Sequence, residues 1–177
     1  MTTSVLAPFR NDPPLAAAAI VALAGLATIG GFFFFQYVVG LTPCPLCLEQ
    51  RHAYYVSVPL AALLWLGVGY GAQRKVLLLG FLVIAAAMLW NNGLSTYHAG
   101  LEWKWWPGPA ECTGPINTVG TAKDLLNQLN TFSPVRCDEA QWRFLGLSLA
   151  GYDVLVSLAL ALIALWGAKA AYMRRAD

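Results

Sequence analysis

Four long apolar runs constrain this chain more than any other feature. Leu15 to Val39, Tyr54 to Gly71, Val76 to Leu94 and Val154 to Tyr172 each meet or approach the roughly 18 residues a helix needs to cross the hydrocarbon core of a bilayer. Lipid offers no partners for backbone N–H and C=O groups, so only helices or a closed barrel can span it. Nothing in the chain alternates like a barrel strand, which leaves helices. The first run is longer than the apolar stretch of a secretory signal peptide and precedes no soluble mature domain, so it reads as a retained span. The expected fold is an all-α integral membrane protein: a four-transmembrane-helix bundle forming one domain over residues 1–177. Its composition, 58% hydrophobic and 11% charged, suits a chain whose main solvent is the lipid bilayer.

Basic residues near the span ends set the orientation. Arg10 precedes the first run, Arg74 and Lys75 join the second to the third, and Lys169, Arg174 and Arg175 follow the fourth. All fall on one side, which the excess of Lys and Arg marks as cytoplasmic, together with both termini. The outer face then carries residues 40–51 and 95–152. Lys104, Lys123, Arg136 and Arg143 lie in the longer loop, but they are dispersed among Glu102, Glu111, Asp124, Asp138 and Glu139. The net charge of +2 is thus mostly an orientation signal, and no basic patch interleaved with aromatics points to nucleic acid.

All four cysteines fall on that outer face, which in a bacterium is the oxidising, periplasmic side. Cys44 and Cys47 form a C-x-x-C in the run CPLCLEQR, bracketed by Pro43 and Pro45. Proline is tolerated in a helix's first turn, so the second helix is expected to begin near Pro45, with both cysteines at its N-terminus. The positive end of the helix dipole, and Arg51 four residues after Cys47, both favour a thiolate there. A thiolate is the attacking species in disulfide exchange, and C-x-x-C spacing also permits a direct bond, so the pair suits an electron shuttle. A purely structural bridge across so short a loop would remove little chain entropy. A zinc site needs about four N or S ligands, usually from two pairs of short spacing. Cys112 and Cys137 are 25 residues apart, so no metal is expected.

A bridge across the Cys112–Cys137 segment would ordinarily be judged stabilising, by about 3 kcal/mol; beside the first pair it also offers a second thiol set for exchange. Between these two cysteines Thr121 is expected to cap a short interfacial helix, with Asp124 three residues on and Leu125, Leu126, Leu129 and Phe132 on its apolar face. Trp103, Trp105 and Trp106 read as an interfacial aromatic belt. His98, just outside the third span, is a plain interfacial group unless a quinone lies nearby, where an imidazole can donate a hydrogen bond or relay a proton. Asp153 is expected to cap the fourth span. No glycine pattern for a nucleotide cofactor is visible.

Taken together, C-P-L-C-L-E-Q-R opening the second span, Y-H-A-G after the third and C-D-E-A-Q-W-R-F-L-G-L leading into the fourth resemble the disulfide bond formation protein B family over nearly the whole chain. The resemblance implies a bacterial inner-membrane oxidase that reoxidises a DsbA-like periplasmic thiol oxidase and passes electrons to the membrane quinone pool, ubiquinone or menaquinone. It also implies roles. Cys112 would take the mixed disulfide with the partner, Cys137 would bond transiently to Cys44, Cys47 would face the quinone, Arg51 would stand beside the ring, and His98 would belong to the quinone site. DsbA is itself a strong oxidant, near −120 mV, and each 30 mV uphill costs about 1.4 kcal/mol for two electrons, which is why a further acceptor is required.

Two other readings compete. A structural membrane protein with static outer-loop disulfides would lose stability, not electron transfer, when they are removed. A vitamin K epoxide reductase-like quinone oxidoreductase also pairs a C-x-x-C with a quinone in a four-helix bundle, but carries its cysteine pairs in a different order along the helices.

Overall fold

The computed structural model describes residues 12–108 and 136–173. Within them lie four helices long and apolar enough to cross a membrane. α1 spans Pro13–Phe33 and runs on as a π-helical turn, Phe34–Val38; α2 spans Pro45–Gly69, α3 Arg74–Glu102 and α4 Leu149–Met173. α3 packs along α4, and α1 packs against both α2 and α4, with α2 against α3. Arg10, Cys112, the Thr121–Phe132 segment, Arg174 and Arg175 lie outside the described residues, and with them the expected interfacial helix.

The helix ends differ from the hydropathy boundaries in an informative way. α2 starts at Pro45, as proline in a first turn allows, one residue after Cys44. α3 continues past Leu94 through the polar stretch to Glu102, where polar side chains find partners without leaving the helix: the Thr96 hydroxyl returns to the carbonyl of Asn92, and that of Ser95 lies between Asn91 O and Asp153. It stops in a Schellman turn: the N–H of Trp105 bonds to Gly100 O and that of Lys104 to Leu101 O, with Lys104 left-handed at φ 61°. Hydropathy registers side-chain polarity, whereas the helix needs only backbone partners. The outer loop is correspondingly shorter than expected at both ends.

α4 is entered through a feature the all-α expectation did not contain, a small hairpin. β1 (Arg143–Phe144) pairs antiparallel with β2 (Leu147–Ser148). Leu145 and Gly146, the two residues between them, both have positive φ, as a two-residue primed turn requires.

The core between the helices is built largely from small side chains. Ala17 and Ala18 of α1, Ala61 of α2 and Ala161 and Ala164 of α4 are buried around Tyr54, Phe81, Ile84 and Met88. At Gly167 an added Cβ would come within 2.7 Å of Phe81 and 2.8 Å of Ala17, so glycine there lets three helices meet. Lipid tails are as apolar as leucine, so close van der Waals contact of this kind, supplemented by polar links, has to hold the helices together.

Asp153 supplies the main polar link. It was expected to cap α4, but it is the helix's fifth residue and points into the bundle. Tyr54 Oη of α2 donates to its Oδ1 at 2.5 Å, while Asn91 Nδ2 (3.0 Å) and Ser95 Oγ (2.5 Å), both of α3, donate to Oδ2. A carboxylate buried among helices needs partners more than it needs a helix dipole, and three donors on two neighbours supply them.

The poles of the bundle are chemically distinct. At one, Arg74 at the start of α3 donates to Tyr172 O and lies 5.3 Å from that ring, bringing the α2–α3 turn to the end of α4. At the other, the start of α2, the end of α3, the π-helical turn of α1 and the hairpin converge.

Candidate active site

Cys44 is the N-cap of α2. Its extended backbone turns its sulfur back over the helix end, where Sγ accepts the N–H of Cys47 at 3.2 Å. The same fold of the chain brings the two sulfurs 2.7 Å apart, and both residues are thiols. The hydrogen bond to Cys47 and burial push the Cys44 thiol up to about 12, opposite to the lowering expected from the helix end. Cys44 is only 2% exposed, so loss of water and the shared sulfur contact outweigh the dipole.

α3 contributes His98, which lies inside that helix and is buried. Its Nε2 is 3.7 Å from Cys44 Sγ and its Nδ1 is 3.1 Å from the Gln50 amide. Glu102, one turn further on, brings Oε1 to 4.0 Å from His98 Nε2 while its Oε2 accepts the Ser148 hydroxyl. Gln50 and Glu102 were missed in the sequence. The signal that finds them is spacing: Gln50 stands three residues after Cys47 and Glu102 four after His98, so each shares a helix face with a residue already singled out. His52, by contrast, is exposed beside Glu49.

Cys137 reaches this site from the late loop. It is buried and packs with Cys44 and Leu101, against Cys47 and Trp106. Trp106, half-buried, thus packs against the cysteine cluster: its ring lies over Gly100, where any Cβ would collide with it, and stacks on Tyr97 at 5.9 Å. Trp103 and Trp105 remain exposed. The residues after Cys137 form a strap clasped at three points. Asp138 receives Arg136 (2.9 and 3.0 Å) and Lys104 (2.7 Å), Gln141 Nε2 donates to Thr42 O (2.8 Å), and the Trp142 ring lies 4.9 Å from Phe35. Arg136 and then Lys104 hold the Asp138 carboxyl well below the usual carboxylate range.

Arg51 is buried and turned toward α1. Its Nη1 donates to Gln36 Oε1 at 2.7 Å, its guanidinium stands 5.5 Å from the Phe32 ring and 5.8 Å from Phe33, and its Nε is buried without a partner. Gln36 sits in the π-helical turn, a distortion frequent at functional sites, which re-aims its side chain at the cation. Phe32 also lines the cavity over Cys44, Cys47 and His98, and with Leu149 it borders a second cleft, about 140 Å³, between α1 and α4. The structure thus brings together Cys44, Cys47, Cys137 and His98, with Arg51 reached through Phe32.

The chain matches the family model "Disulfide bond formation protein DsbB" over residues 14–167. Curated relatives called disulfide bond formation protein B include that of Albidiferax ferrireducens, 29% identical over 92% of this chain and 95% of the relative. Those of Azoarcus sp. (strain BH72) and Hahella chejuensis are 30% and 32% identical, over 89% and 76% of this chain and 92% and 80% of theirs. No solved structure matches significantly. With a family model spanning all four helices and a cysteine cluster assembled at one pole of the bundle, the chain belongs to the disulfide bond formation protein DsbB family.

Proposed function

We propose that this protein is a membrane thiol oxidase that reoxidises a DsbA-type dithiol protein and delivers the electrons to a membrane quinone, with its cysteines periplasmic and its termini cytoplasmic. The observation that carries the reading is the burial of Cys137 against Cys44 and Cys47, residues otherwise separated by two helices and a loop. Exchange needs sulfurs that can meet, and here they share one pocket.

The residues present fit a flat apolar ring with carbonyl oxygens. Phe32 offers an aromatic wall shared by the cysteine cavity and the mainly apolar α1–α4 cleft, and Arg51, which lines neither space but stands against Phe32, keeps a buried Nε without a partner. A quinone bound there supplies a two-electron acceptor reached from the lipid. The chain's own part is a relay. A partner thiolate attacks Cys112 of the Cys112–Cys137 bond and releases the Cys137 thiolate. Cys137 then attacks Cys44 of the Cys44–Cys47 bond, and Cys47 leaves as a thiolate. The partner's second thiol closes its own disulfide and frees Cys112. Two electrons thereby rest on this chain. Cys112 then attacks Cys137, breaking the Cys44–Cys137 bond and releasing the Cys44 thiolate, and the Cys44–Cys47 bond would re-form as the two electrons pass to the quinone. His98, beside Cys44, is placed to hold the proton that thiol forms exchange, and Arg51 to stabilise negative charge opposite Cys47.

The test is quinone reduction by purified protein supplied with a reduced DsbA-type partner. Wild type turns over repeatedly and Cys47→Ser does not; sustained turnover in Cys47→Ser would remove the relay.

A further inference from the structure

The geometry points to a second property of the same pole: in the dithiol state, Cys44, Cys47 and His98 form a binding site for a soft divalent cation of the zinc class. Their donor atoms, Sγ, Sγ and an imidazole nitrogen, all lie within 4.8 Å of one another. This goes beyond the redox reading and does not depend on it, since chemical reduction of the chain suffices to create the site.

Zinc takes sulfur at about 2.3 Å and nitrogen at about 2.0 Å in a tetrahedron, which places sulfur and nitrogen about 3.5 Å apart and two sulfurs about 3.8 Å apart. Cys44 Sγ and His98 Nε2 already stand 3.7 Å apart. The two sulfurs, at 2.7 Å, must separate by about 1 Å. Rotation of the half-buried Cys47 side chain supplies that movement without displacing a helix. Sequence spacing argued against a metal because it looked for the remaining ligands at Cys112 and Cys137; the third ligand comes instead from α3, 54 residues after Cys44.

The surroundings are those of a ligand histidine. For Nε2 to bind metal, Nδ1 carries the proton and needs an acceptor, and the Gln50 amide, 3.1 Å away, presents its oxygen after a half-turn of the amide group. Glu102 Oε1 stands 4.0 Å from Nε2, beside the three donors and not among them, so the fourth position falls to water or another small ligand, as in three-ligand zinc sites. Binding is balanced by release of the two thiol protons to solvent: one cation enters, two thiolates form, and no electrons move. Oxidation of the pair removes both ligands, so the site exists only between reduction and reoxidation. A cation held there withdraws both sulfurs from exchange.

The test uses full-length protein in detergent, reduced and freed of reductant, titrated with Co²⁺ as a coloured probe and then with Zn²⁺. The expected result is one Co²⁺ per chain with thiolate-to-metal charge-transfer and tetrahedral ligand-field bands, bleached by Zn²⁺ and missing from the oxidised chain. Cys44→Ser abolishes the bands, His98→Ala and His98→Gln lose the tetrahedral signature, and Gln50→Leu weakens binding by about 10- to 100-fold. A Cys112→Ser, Cys137→Ser double variant keeps the site. The proposal is overturned if reduced wild type shows no bands, if both His98 variants retain them unchanged, or if the double variant loses them. None of these readouts uses quinone or partner, so they fail or succeed independently of the oxidase reading.

Discussion

At the scale of the residue, Cys44 and Cys47 share one motif but not one environment. Both border the cavity under Phe32, but Cys44 is buried, packed with Cys137 and hydrogen-bonded to the neighbouring sulfur, while Cys47 is only half-buried. A thiol held near 12 stays protonated through the physiological range and gains thiolate character only as pH climbs toward that value. The larger cause is the hydrogen bond to Cys47 and the smaller is burial, and substitution separates them. In Cys47→Ala the ionisation midpoint of Cys44, followed by thiolate absorbance in a Cys112→Ser, Cys137→Ser background, is expected to fall substantially yet stop above the ordinary thiol value near 8.5. An unchanged midpoint would assign the whole effect to burial. For function, a protonated Cys44 is a poor nucleophile, which suits a sulfur whose proposed task is to be attacked by Cys137.

At the scale of the element, the strap from Arg136 to Phe144 decides whether Cys137 stays seated. Its ion pairs are exposed and therefore individually weak, but they act together with the Gln141–Thr42 bond and the Trp142–Phe35 contact. Because the Asp138 carboxyl is depressed in the folded state, its contribution is present above the unfolded carboxylate value near 3.9 and is lost as pH falls through the lower folded value. At neutral pH, Asp138→Asn mimics that loss. In a chain retaining only Cys44 and Cys137, the substitution is expected to slow oxidant-driven formation of the Cys44–Cys137 bond several-fold. Raising salt to 1 M should slow the Asp138 chain and leave the Asn variant nearly unaffected, because the screening length drops to about 3 Å. Equal rates in the two chains would place the clasp at Gln141 and Trp142 alone.

At the scale of the whole molecule, the cysteine pole is only as well defined as the register of the helices that bear it. Asp153 ties α4 to Tyr54 of α2 and to Asn91 and Ser95 of α3, below the site on the same helices that carry Cys47 and His98. Hydrogen bonds between membrane helices contribute about 0.6 kcal/mol each and up to about 1.7. Asp153→Ala, which removes the acceptor of Tyr54 and Asn91 while Ser95 keeps Asn91 O, is expected to destabilise the bundle by about 1–3 kcal/mol in detergent unfolding. Asp153→Asn should cost less, because it keeps an acceptor at one position. A loss below about 0.5 kcal/mol in the alanine variant would mean that packing around Gly167 and Phe81 sets the register unaided.

Much of this protein was readable before any coordinate was known, and the boundary of what was readable has a physical cause. Four apolar runs specify four spans because lipid acts on each run separately. The grouping of Arg74, Lys75 and Lys169 away from Cys44 and Cys47 follows the order of those spans, and Pro45 announces the start of α2 within a single turn. All of these are local, one-dimensional properties, and family membership over residues 14–167 accords with them. The polar tail of α3, the inward turn of Asp153 and the packing of Trp106 against the cysteines were not readable, because each depends on a partner in another element. The contact of His98 with Cys44 and the burial of Cys137 against both are of the same kind: they require α2, α3 and the strap to meet at one depth and rotation. Close packing of small residues between helices determines that meeting, so only the tertiary structure could decide it.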